Sequence, residues 1–128
     1  MIEKLLADRG LRPTNHRLKI GQKVLKEHCH FTADDLCEWA SSGKQKMSRA
    51  TVYNILNEFV AAGLLKSFYS GAAGKTIYDS NLSTHFHLYD VESKKIMDVD
   101  PKMLSIDTKN LKGYKVEQME ILITGRKR

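Results

Sequence analysis

His85 and His87 stand one residue apart in the stretch "DSNLSTHFH", six positions downstream of Asp79. In an extended strand, successive side chains alternate faces, so the two imidazoles project together while Phe86 points the other way. Two imidazoles on one face can hold a metal ion. A lone His-x-His is more often an ordinary polar face of a half-buried strand, so the metal reading needs further donors.

A second group of residues suits nucleic acid. In "RATVYNILNEFVAAG" the apolar residues Val52, Ile55, Leu56 and Phe59 recur at helical spacing, which leaves Arg49, Tyr53 and Asn57 on the opposite stripe with Thr51 and Asn54 flanking. Arg can pair with guanine, Asn with adenine, and a Tyr ring can pack on a thymine methyl. Arg17, with Lys19 and Lys23 on an earlier helix, is a candidate for gripping phosphate. On a generic amphipathic helix such a stripe is simply solvated. Its place after two other helices and before a hairpin, in a basic chain, favours DNA.

These residues need elements to position them. Ile2, Leu5 and Leu6 predict a short helix that Gly10 ends, and Thr14 caps a second running to about His28 with Leu18, Gly21, Val24 and Leu25 on one side. Thr32 and Asp35 have capping-box spacing and open a third helix through Leu36 and Trp39 to "SSGK". Ser48 caps the fourth, which Gly63 stops. "LLKSFYSGAAGKTIYD" then reads as a hairpin, or wing, and "HFHLYDV" with "KIMDV" as a second hairpin around "ESK". After Pro101 a loosely helical stretch is expected to about Leu111, then a strand over "VEQMEILITG" and a basic tail. The fold class is α+β: a winged helix-turn-helix domain over 1–81 and a small α/β dimerisation and metal-sensing domain over 82–128.

Composition agrees with such a head. The 128 residues carry a formal charge of +6, which makes a polyanion a plausible partner. Cys29 and Cys37 are too few for a disulfide framework and lack zinc-knot spacing. "MIEKLLADRG" has an acidic residue and no long apolar run, so neither a signal peptide nor a membrane span is expected, and a cytoplasmic protein is.

The strings "LRPTNHR", "HFTADDL", "SRATVYNILNEFVAAGLL", "YDSNLSTHFHLYD" and "KIMDVD", in this order over roughly residues 9 to 100, closely resemble the ferric uptake regulator family, whose members are dimeric, metal-responsive winged-helix repressors. Carried over residue by residue, the resemblance implies a regulatory metal site at His30, Asp79, His85, His87 and Asp98. Three imidazoles and two carboxylates suit Fe(II), Mn(II) or Zn(II), with one divalent ion per chain. Such an ion would clasp head to tail, which accounts for the spacing in "DSNLSTHFH".

Two aspartates at the carboxylate positions resemble the peroxide-responsive branch, in which Fe(II) reacts with hydrogen peroxide, a ligand histidine is oxidised and the repressor leaves DNA. "YDSN" also resembles the iron-response branch, where haem can signal, although that branch's Cys-Pro motif is missing: Cys29 precedes His30 and Cys37 precedes Glu38. Where many relatives hold a structural zinc with two Cys-x-x-Cys pairs, this chain has "LYDVESKK" and "GRKR", so no four-cysteine zinc is expected. The stretch from Pro101 to Gly113 is shorter than the family's dimerisation region, which shifts association toward Ile121, Leu122 and Ile123.

The expected function is a metal-dependent repressor that binds a palindromic operator as a homodimer and senses peroxide, the alternative being an iron- or haem-responsive regulator. An enzyme built on the same histidines and aspartates is disfavoured, because no His-x-Asp facial-triad pattern or glycine pocket motif is present.

Overall fold

The computed structural model describes residues 1–42 and 46–128. They divide into two compact units, Met1–Ser70 with Gly74–Leu82, and Ser83–Arg128 with Gly71–Ala73.

In the first unit, α1 (Ile2–Asp8), α2 (Asn15–Val24), α3 (Ala33–Ser41) and α4 (Arg49–Ala61) precede the wing strands β2 (Lys66–Ser70) and β3 (Lys75–Asp79). The apolar stripe of α4 forms the centre of the core: Val52, Leu56 and Phe59 are fully buried together with Leu6 and Ile20, and each such side chain contributes about 1.5–3 kcal/mol by leaving water. Local signals start the helices. Thr14 Oγ1 accepts from Arg17 N, Ser48 Oγ from Thr51 N, and Thr32 and Asp35 close a reciprocal capping box. The expected end of α3 at "SSGK" includes Gly43 and Lys44, which lie outside the described residues.

Two features of this unit depart from expectation. The second helix stops at Val24 instead of running to His28, because the following connector is held elsewhere. Ser80 Oγ donates to Glu27 O (3.1 Å) and accepts from Cys29 N (2.9 Å), and Ser80 N donates to Cys29 O (3.2 Å). That pinning delivers the chain into an unforeseen strand, β1 (His30–Thr32), which pairs with β3 so that His30 lies opposite Asp79 in a sheet of order β1-β3-β2.

The second unit is a three-stranded sheet of order β5-β4-β6, built from β4 (Phe86–Asp90), β5 (Ile96–Val99) and β6 (Leu122–Gly125). β4 pairs antiparallel with β5, placing His87 opposite Asp98, and parallel with β6. The expected helix to Leu111 is reduced to one 3-10 turn, Pro101–Met103. Beyond it lie isolated turns such as Leu111 N to Thr108 O (3.1 Å), and Gly113 takes φ 85°, which no helix tolerates. The last strand is also shorter than "VEQMEILITG": β4 offers only five residues, so pairing begins at Leu122 while Val116 and Met119 stay exposed.

Candidate metal centre and nucleic-acid surface

The β1–β3 register faces His30 with Asp79, and His30 Nε2 lies 3.2 Å from Asp79 Oδ2. Asp79 is only 1% exposed on the central strand, where its other oxygen, Oδ1, accepts from Asn81 N at 2.8 Å. One carboxylate oxygen is thus anchored by backbone and the other is aimed at an imidazole.

In the second unit, His85 immediately precedes β4 and His87 lies within it. Their rings contact edge to face at 4.5 Å, as side chains two apart on an extended segment should. Asp98 joins them from β5: its Oδ1 is 3.5 Å from His85 Nε2 and 3.9 Å from His87 Nε2. His85 Nδ1 sits 2.6 Å from Ser83 O. A carbonyl only accepts, so Nδ1 carries the proton, and in the neutral ring Nε2 holds the lone pair that a metal requires. Backbone fixing of the far ring nitrogen is the usual orienting device for metal-binding histidine. No feature of the sequence announces that carbonyl.

Each unit thus offers its own donors, His30 and Asp79 in the first and His85, His87 and Asp98 in the second. Their chemistry fits a hard or borderline divalent cation, with imidazole nitrogen and carboxylate oxygen and no thiolate. The two cysteines, Cys29 half-buried and Cys37 buried, are both free thiols of the first unit.

The other predicted residues lie on or beside α4. Tyr53, Asn54, Asn57 and Arg49 are exposed, and Thr51 is half-buried with its hydroxyl 3.0 Å from the capping Ser48 Oγ. Arg49 Nη2 donates to Asp34 Oδ1 at 2.6 Å, and its guanidinium lies 5.8 Å from the Tyr53 ring centroid. The hydrogen bond from Arg49 holds the Asp34 carboxyl below the usual carboxylate range. Arg17 is committed within the unit: its Nε donates to Glu58 Oε2 at 2.8 Å and its Nη1 to Arg12 O at 2.9 Å. Lys19 and Lys23 each place an ammonium 5.3 Å from the Trp39 ring.

The model of the ferric uptake regulator family matches residues 8–124. The chain belongs to the ferric uptake regulator family. Its relatives include the peroxide-responsive repressor PerR of Staphylococcus aureus, 31% identical over 93 residues that make up 73% of this chain and 62% of that protein. This member of the family therefore aligns with less than two thirds of that relative's length. The crystal structure of the Vibrio cholerae ferric uptake regulator superposes with a TM-score of 0.73 at 24% identity, covering 97% of this chain and 98% of that one. The Pseudomonas aeruginosa ferric uptake regulator, solved with manganese, gives 0.73 at 22% identity over 100% and 98%. At those identities the two structures speak for the fold, an α+β architecture with a winged helix-turn-helix. Among the described residues no helix is long and apolar enough to cross a membrane.

Proposed function

We propose that this family member is a metal-dependent transcriptional repressor, and that one divalent ion is held by His30, Asp79, His85, His87 and Asp98. The observation that carries the reading is the aim of the imidazoles: in each unit the histidine Nε2 atoms face a carboxylate oxygen, and His85 is held in the metal-competent tautomer. A donor set drawn from both units lets occupancy set how they are held together. A homodimer then presents two α4 helices to successive major grooves of a palindromic operator. Arg49, Thr51, Tyr53, Asn54 and Asn57 face the bases, and Arg17 braces α2 against α4 near the backbone. An ion that prefers the DNA-competent arrangement shifts binding only by its differential affinity, about 1–3 kcal/mol of coupling, which suffices for a switch.

The homodimer is supported by large apolar side chains exposed in the second unit: Met97, Met103, Leu111 and Tyr114. Ile121, Leu122 and Ile123 are half-buried and contribute through the sheet. A four-cysteine zinc site plays no part, since this chain has two cysteines. The ion in the cell is Fe(II) or Mn(II), with Zn(II) an adequate substitute on purification, and the signal is peroxide; both are supported by the two-aspartate donor set and by the name of the S. aureus relative. Ferrous iron, when bound, would supply the reducing electrons for peroxide. The role of this chain is to place the His30 and His85 rings beside it.

The test uses duplexes selected from a random library by the Mn(II)-loaded protein. Operator affinity, read by fluorescence anisotropy, should fall 5- to 150-fold on chelation, in line with about 1–3 kcal/mol of coupling. His85→Ala with His87→Ala should abolish that dependence. Equal affinity with and without metal sinks the reading. Peroxide sensing is checked separately by mass spectrometry of the Fe(II)-loaded protein after peroxide: one added oxygen on His30 or His85 is expected, and DNA release without modification refutes it.

A further inference from the structure

Arg49 opens α4 and Asp34 lies in the first turn of α3, yet their side chains meet at 2.6 Å with 64% and 60% of their side-chain surfaces exposed. An ion pair this exposed adds little to stability, so stability does not account for it. The guanidinium is also set over Tyr53, at 5.8 Å from the ring centroid, and is thereby held from two directions. Lys75 of the wing acts on the same carboxyl, lowering it further below the usual range, so Asp34 is ionised at neutral pH.

We infer that Asp34 is a specificity-determining positioning residue: it fixes Arg49 over Tyr53 for base reading and keeps that arginine off DNA phosphates. The inference rests on the DNA-binding reading above. Two physical effects act in one direction. A free arginine must lose rotamer freedom on binding, and one already tied to Asp34 and Tyr53 has less to lose when it meets the matching base. The bond to Asp34 uses Nη2, and with five N–H donors in a fixed fork the guanidinium keeps an edge for a bidentate pair with guanine. Meanwhile the same bond holds the guanidinium on Asp34, so that on a non-matching sequence, where no base engages it, the arginine does not swing to a phosphate. Tight binding to the wrong sequence is suppressed, and binding to the right one is retained.

The experiment compares wild type and Asp34→Asn, Mn(II)-loaded, on the selected duplex and on a scrambled duplex of equal length. In Asp34→Asn the selected-to-scrambled affinity ratio should fall roughly tenfold, about 1.4 kcal/mol by the standard conversion. Scrambled DNA should bind tighter, with its log-affinity versus log-salt slope steeper by about one phosphate contact. In an Arg49→Ala background the same substitution should leave the ratio unchanged. A ratio unmoved in the wild-type background overturns the inference, as does a change that persists without Arg49. A wild-type protein that enriches no sequence defeats the DNA-binding reading itself; one that enriches a sequence and ignores Asp34→Asn defeats this inference alone. Should Asp34→Asn fold poorly by circular dichroism, Asp34→Ser keeps a good first-turn residue and runs the same comparison.

Discussion

At the scale of single side chains, the orientation of a ring or carboxylate depends on the groups behind it as much as on its own residue type. His85 and His87 announce themselves through alternation along one extended segment, a rule written into consecutive letters. Their supports are backbone groups or distant partners: the Ser83 carbonyl behind His85, Glu58 for Arg17 across 41 positions, Ser80 behind the connector that carries His30. Asp90 shows the same dependence on backbone and yields a testable consequence. Its Oδ1 accepts from Glu92 N at 2.9 Å and Ser93 N at 3.5 Å, and its Oδ2 accepts from Ser93 Oγ at 2.9 Å. The Glu92 backbone bond foremost, then Ser93, hold the carboxyl below the usual range. A folded-state value below the unfolded one, about 3.9, contributes stability that is present above that pH and lost as pH falls through the lower folded value. Asp90→Asn should lower the melting temperature near neutral pH and flatten the decline below about pH 4 in a pH series of thermal melts. An acid limb as steep as wild type would assign it to other carboxylates.

Elements were legible where local chemistry decides and illegible where a partner decides. The caps at Thr14, Thr32 and Ser48 and the four-residue turn between β2 and β3 follow from residues a few positions apart. The three-residue β1, the early end of α2 and the late start of β6 depend on Ser80, β3 and β4, which no periodicity within those segments reports. The crossing of α1 and α2 is another case set by a partner. A Cβ on Gly21 would come within 2.8 Å of Ile2 Cγ2, so the glycine is required by close approach and not by its own conformation. Gly21→Ala gains about 1 kcal/mol of helix propensity but suffers overpacking of roughly 1–3 kcal/mol, so a net loss near 1 kcal/mol is expected. In an Ile2→Ala background the clash is gone, and the same substitution should become stabilising by about 0.5–1 kcal/mol. Urea denaturation of the four proteins closes this cycle, and a Gly21→Ala effect of the same sign in both backgrounds would place the strain elsewhere.

At the scale of the whole molecule, the proposal makes metal binding a linkage between two units, one built on four helices and a small sheet and the other on a three-stranded sheet. An ion that binds the folded chain and not the unfolded one stabilises it by about 2.7 kcal/mol at a hundredfold excess over its dissociation constant. For units of this size that corresponds to a rise in melting temperature on the order of 10 °C. The single tryptophan, Trp39, belongs to α3 and so reports the first unit alone. If one ion draws on donors from both units, saturating Mn(II) should raise the transition seen by Trp39 fluorescence. His85→Ala with His87→Ala should then erase that rise, although both substitutions lie in the second unit. His30→Ala should in turn erase the metal-dependent rise followed through the second unit's β4 residue Tyr89, read by hydrogen exchange at its amide. A Trp39 transition that still climbs with Mn(II) when His85 and His87 are gone would mean that the first unit binds the ion on its own. Occupancy could then not govern how the recognition helices are presented, and the repressor would need another switch.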